Sequence, residues 1–98
     1  MKTQATSSGE KSASSIIQVL GGYLHGFELN PPQSGQATLK IYDSNEASTT
    51  NKLLLTTVTC TAGLNSVYVE FPTPRAVNVG IYAVLTGNTT YTVAYSLG

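Results

Sequence analysis

The stretch Arg75-Ala76-Val77-Asn78-Val79-Gly80-Ile81-Tyr82-Ala83-Val84-Leu85-Thr86, followed by Gly87-Asn88 and then Thr90 to Leu97, decides the fold class. Apolar residues recur at every second position through Val77, Val79, Ile81, Ala83 and Leu85, and again through Tyr91, Val93 and Tyr95, which is the period of a half-buried strand. The expected element over 75–86 is the longest core strand, kinked at Gly80. Gly87-Asn88 is a two-residue hairpin signal leading into the last strand.

Working backward, the same alternation recurs in short runs broken by Gly, Pro and Asn. Gln36 to Tyr42 places Ala37, Leu39 and Ile41 inward. Lys52 to Thr61 and Ser66 to Phe71 follow, the latter with Val67, Val69 and Phe71 inward. Ser15 to Leu20 is a short strand, and Gly21-Gly22 bends the chain into Tyr23 to Leu29, where Tyr23, His25, Phe27 and Leu29 share a face. Pro72-Thr73-Pro74 follows, a run that no central strand could contain, because proline has no amide hydrogen for a ladder, and one of its bonds is a candidate for the cis form. The turn 30–35 and the nine-residue polar loop Asp43 to Asn51 complete the pattern.

These seven strands, spaced by about a dozen residues, predict an all-β chain: an antiparallel β-sandwich, jelly-roll or immunoglobulin-like, between which sequence does not choose. Residues 16–98 form the sandwich domain. Residues 1–15 are Ser- and Thr-rich with almost no large apolar side chain, and read as an extended N-terminal arm.

With 98 residues there is one core to build and little room for a deep pocket within it. Charged residues are 10% of the chain and its formal net charge is zero, which argues against nucleic-acid binding, since phosphate contacts need a basic excess. No run of about 18 apolar residues offers a membrane span. The first fifteen residues lack the apolar segment of a signal peptide, so export by a secretory leader is not expected, and Asn88-Thr89-Thr90 reads as a turn, not a glycosylation site.

Chemistry-bearing residues are sparse. Cys60, the one cysteine, reads as a core residue and His25, the one histidine, as structural; nothing local supports a nucleophile pair between them. The acids Glu10, Glu28, Asp43, Glu46 and Glu70 form no motif; Glu28 and Glu70 are candidates for closeness in space, but two scattered carboxylates read as solvated. Asp43-Ser44-Asn45-Glu46 lacks the glycine and terminal glutamate of a calcium loop. The reading is a non-enzymatic chain with no cofactor and no metal.

The segment from Gly22 to Ser96 resembles a family of small virion proteins of tailed bacteriophages. The resemblance lies in Ala37-Thr38-Leu39-Lys40-Ile41-Tyr42-Asp43 before a polar loop, a leucine-rich strand, the Phe71-Pro72-Thr73-Pro74 turn, Gly80-Ile81-Tyr82-Ala83-Val84-Leu85-Thr86-Gly87, and the alternating strand Tyr91-Thr92-Val93-Ala94-Tyr95. It implies a β-sandwich on the outside of a phage particle, a capsid decoration or cement protein, often trimeric, assembled in the host cytoplasm and carried on the virion. Its partners would be the major capsid protein or other virion proteins.

In that setting the arm would run along a neighbouring subunit, and the expected partner-binding residues are Lys2, Thr3, Gln4, Thr6 and Ser7 of the arm and Asn45 and Glu46 of the polar loop. Tyr42, Tyr68 and Tyr82, on the faces opposite the core residues, complete the set. The alternative is a fibre or tail-tip module that binds a host surface glycan or protein through exposed tyrosines, of which the chain has six in all and no tryptophan beside them.

Overall fold

The computed structural model of the chain describes residues 5–97. These residues form eight strands and no helix: β1 (Thr6–Ser7), β2 (Ser15–Gln18), β3 (Gly22–Leu29), β4 (Gln36–Asp43), β5 (Leu53–Thr61), β6 (Val67–Val77), β7 (Ile81–Thr86) and β8 (Tyr91–Leu97). They build two antiparallel four-stranded sheets, ordered β1-β8-β3-β6 and β2-β7-β4-β5. Consecutive strands alternate between the sheets except at β4–β5, which is the strand order of a jelly roll. The choice between jelly roll and immunoglobulin-like sandwich falls to the former.

The core is the space between the sheets, filled by Leu24, Phe27, Leu29 and Val93 from the first and by Leu39, Ile41, Leu55, Cys60, Ile81 and Ala83 from the second. Phe27 packs on Phe71 with ring centroids 6.3 Å apart and planes tilted by 58°, within the centroid range of favourable aromatic pairs. Ala37, Leu39 and Ile41 are buried as their alternation requires. Cys60 is buried too, its thiol donating to the carbonyl of Asn65 at 3.4 Å.

Four expectations are corrected. First, the face shared by Tyr23, His25, Phe27 and Leu29 is broken by a bulge: Leu24 pairs with Tyr95 and Gly26 with Ala94, so His25 has no partner in β8. The extra residue moves the inward face onto Leu24, and Tyr23 turns outward. Second, the strand expected to end at Phe71 runs on to Val77, and the prolines fall, as they must, outside a central strand. β6 lies at a sheet edge, where a missing amide costs no ladder bond, and it continues through Phe71-Pro72-Thr73-Pro74 as a wide bulge opposite His25. Every peptide bond among the described residues is trans.

Third, 75–86 is not one strand. It ends in the first sheet at Val77 and restarts in the second at Ile81, and Asn78-Val79-Gly80 carry the chain across. The buried carboxylate of Asp43 accepts all three amides of the crossing, Asn78 to Oδ2 at 2.8 Å and Val79 and Gly80 to Oδ1 at 2.9 and 3.3 Å. Only glycine fits at position 80, where a Cβ would meet the carbonyl oxygens of Gln18 and Ser44. Fourth, Gly87-Asn88 is not a hairpin, because β7 and β8 belong to different sheets. Gly87 has φ of 105° and lies so close to β4 that a Cβ would sit 2.8 Å from the Ala37 Cα, so its glycine serves a tight crossing.

The segment read as an extended arm along a neighbouring subunit pairs, from Thr6 onward, with the sandwich of its own chain. Thr6 and Ser7 pair with Tyr95 and Ala94, and Ser8 exchanges backbone and side-chain bonds with Val93. Lys11 and Tyr91 exchange both backbone bonds, the Tyr91 hydroxyl donates to the Ala13 carbonyl at 2.7 Å, and Ser14 Oγ accepts the Leu85 amide. The segment thus crosses from the first sheet to the second and covers one open side of the core; Arg75, donating to the Leu55 carbonyl at 2.8 Å, bridges the other. A Ser/Thr-rich segment can do this because backbone pairing needs no apolar side chains once a sheet edge exists to receive it.

Candidate functional site

Two surfaces stand out. On the outer face of the first sheet, the central strands carry the smallest residues, Gly26 on β3 and Ala94 on β8, side by side. Together with Ala5 they leave a shallow trough of about 340 Å³. One rim is β6: Tyr68, 65% exposed, lies opposite Glu28 in the register, and Glu70 opposite Gly26. Thr92 faces Glu28 from β8, so one row across the sheet reads Thr92, Glu28, Tyr68 and the next Ala94, Gly26, Glu70. His25 closes an end of the trough, its Nε2 2.8 Å from the buried Ser96 Oγ. The bulge that displaces His25 is thus also what sets its ring against Ser96.

The second surface is one end of the sandwich. The β2–β3 connection, the Asn78-Val79-Gly80 crossing and the start of the β4–β5 loop meet there, joined by Asp43 and by Gln18, whose side-chain amide donates to the Leu20 carbonyl at 2.9 Å. Val19, Leu20 and Val79 are 59%, 60% and 41% exposed, and Leu53, paired with Asp43, and Leu97, paired with Gly22, are similarly open. Five exposed aliphatic side chains thus gather at one end of a small domain, and apolar surface concentrated in this way is a candidate interaction surface.

The partner-binding residues expected from sequence do not converge. Lys2, Thr3 and Gln4 lie outside the described residues. Thr6 and Ser7 spend one backbone edge on β8. Asn45 and Glu46 are exposed in a loop that braces itself, through Ser44 Oγ donating to the Glu46 carbonyl at 2.8 Å and an ion pair of 3.2 Å between Glu46 and Lys52. Tyr42 and Tyr82 are direct cross-strand neighbours on the outside of the second sheet, flanked by Leu54 and Ile16, whereas Tyr68 is on the outside of the first. The three rings therefore belong to two different faces. Cys60 points into the core and His25 to the trough, in separate layers.

Sequence reasoning missed the apolar end and the trough floor. An alternation that continues unbroken across a change of sheet places Val79 inward, and the signal that points to the exposed end is Val19-Leu20 set directly before Gly21-Gly22. Glu28 and Glu70 lie diagonally across β3 and β6, Glu28 opposite Tyr68 and Glu70 opposite Gly26. Among the described residues no group of three or more His, Cys, Asp or Glu could hold a metal ion, and no helix is long and apolar enough to cross a membrane.

Compared with known proteins, the chain matches no protein-family model, no curated protein and no solved structure.

Proposed function

We propose that this chain is a non-enzymatic structural protein of a tailed-bacteriophage particle, a capsid decoration or cement protein that sits on the outer shell as a trimer with the major capsid protein as its partner. The observation that supports it is the apolar end formed by Val19, Leu20, Leu53, Val79 and Leu97. A low-charge jelly roll with aliphatic residues gathered at one end suits a subunit that is buried at that end in an assembly, where the patch is removed from water at about 25 cal/mol per Å². The phage setting comes from the resemblance of residues 22–96 to small virion proteins. Because Thr6 and Ser7 already pair within the chain, shell contact passes in this reading from the arm to the apolar end, and threefold repetition multiplies weak contacts into avidity.

The test is to mix purified particles lacking the protein with wild type and with the double variant Leu20→Asp, Val79→Asp, and to count bound copies by quantitative mass spectrometry against the major capsid protein. Copies on the order of the capsid subunits for wild type, and few for a variant whose amide spectrum shows the fold intact, are expected. A handful of wild-type copies per particle would replace the lattice-wide reading with a vertex, fibre or tail location. Full binding by the double variant would remove the apolar end from the mechanism.

A further inference from the structure

We infer that the trough on the outer face of the first sheet is a binding site for a neutral saccharide, taking one or two sugar rings. It lies on a sheet face, away from the apolar end, and does not depend on the shell-docking reading.

On a sheet whose outer face would otherwise be covered by side chains from β8, β3 and β6, Ala94 and Gly26 stand side by side on the two central strands, and Ala5 borders them from the segment before β1. Position 26 admits no larger residue, because a Cβ there would meet the Val69 carbonyl oxygen and lie 3.1 Å from the Glu70 Cα. The trough is thus fixed by the backbone packing of two strands and is present before any ligand arrives, which lowers the cost of ordering on binding. About 340 Å³ is near the small end of ligand pockets, too little for an extended chain to be enclosed.

The lining then selects the ligand. Tyr68 presents a largely exposed ring at the rim, and an exposed aromatic face is matched by the C–H face of a pyranose. Glu28 and Glu70 are acceptor-only groups when ionised, and no cation among the described residues lies within ion-pair distance of either. They call for donors, and the hydroxyls of a sugar edge supply them in number, with the Thr92 hydroxyl able to donate or accept beside them. The two carboxylates, diagonal to one another across β3 and β6, disfavour phosphates and sulfates, which argues against nucleic acids and acidic glycans. They also argue against an acyl chain, which would strip water from both charges and return no hydrogen bond. His25 is held at the end of the trough by Ser96, so its ring offers a positioned polar contact without having to be ordered by the ligand.

The experiment is a titration of the isotopically labelled full chain with neutral disaccharides (maltose, cellobiose, lactose and N,N′-diacetylchitobiose) into the millimolar range, read by amide chemical shifts, with choline as a cationic comparison. At least one disaccharide is expected to move the amides of Gly26, Glu28, Tyr68, Thr92 and Ala94 together, and Tyr68→Ala is expected to weaken that binding about tenfold or more, as the loss of a stacked ring should. Glu70→Gln should weaken it less, because the amide still accepts one hydrogen bond. Tyr42→Ala, on the other sheet, should leave it unchanged. No shift with any of the four sugars, or shifts with choline alone, would overturn the assignment, as would sugar binding that survives Tyr68→Ala unchanged in a variant whose spectrum is otherwise that of the wild type.

Discussion

At one end of the sandwich three connections, β3–β4, β5–β6 and β7–β8, are tied together around Asn30, whose side-chain amide donates to Thr90 Oγ1 and accepts from Ser66 Oγ, both at 2.7 Å, while Thr89 donates to its carbonyl at 2.9 Å. At the other end the knot is Asp43, one carboxylate holding the three consecutive amides of the β6–β7 crossing. The neutral knot sits among hydroxyls at the surface, with Leu64 the one strongly exposed large apolar residue nearby; the charged knot is buried and lies under the aliphatic patch. An apolar end can in this way stay open to partners without collapsing. Its loops are held from beneath by charge-assisted hydrogen bonds, so the aliphatic side chains above need not turn inward to stabilise it.

That contrast predicts unequal costs. Asp43→Ala leaves three buried amides without an acceptor and should destabilise the fold by about 3–4 kcal/mol, the largest effect of any single polar truncation in the chain. Urea unfolding followed by far-ultraviolet circular dichroism measures it; a loss below about 1 kcal/mol would mean that water replaces the carboxylate and that the buried knot is no stronger than the exposed one.

The Asn30 end has a pH handle in Tyr91, which ties Ala13 of the first segment to the start of β8. Burial, with a smaller contribution from Tyr82, pushes the phenol up to about 12 from an ordinary value near 10. A group whose pKa is raised on folding favours the protonated state in the native protein, so its contribution is complete below pH 10 and is lost as pH rises from 10 to 12. Stability should fall by up to about 2–3 kcal/mol across that window, and Tyr91→Phe should flatten the fall. Unfolding midpoints at pH 9 and 11.5 for the two proteins provide the comparison; equal slopes in both would show that the phenol is not the titrating group.

The smallest effect belongs to the neutral knot itself. Asn30→Ala removes two hydrogen bonds at a half-exposed position, where water can stand in for the amide, and should cost about 1 kcal/mol. Were it to equal Asp43→Ala in the same urea assay, the two ends would be alike in strength and the contrast would fail.

Where strand and side-chain period agreed, the sequence was a sufficient guide: 36–43 and 91–93 alternate, and their inward residues are buried. It misled wherever a backbone event left the alternation intact. Val77, Val79 and Ile81 keep step across a change of sheet, because the crossing takes three residues and so brings Ile81 inward again, and only the Asp43 carboxylate, distant in sequence, reveals the break. The His25 bulge shifts one face by a single residue and is invisible to a period-two reading. Thr6 and Ser7 have no apolar signal at all, since what fixes them is an available edge on β8. The trough was little legible for the same reason: the placing of Glu28 and Glu70 depends on β3 pairing with β6, and the small floor on Ala94 beside Gly26, and no local pattern announces either.

The pairing of Thr6 with Tyr95 has a topological consequence. It brings the first strand and the last together as antiparallel neighbours, so a short bridge between them would turn the chain into a ring with every strand still in its place. Opened instead in the exposed loop between Glu46 and Asn51, that ring would become a chain of the same length in which the two halves trade order, β5 to β8 coming first and β1 to β4 last. The jelly roll can therefore be strung from more than one starting point, because its architecture is stored in which edges meet and not in which strand is synthesised first.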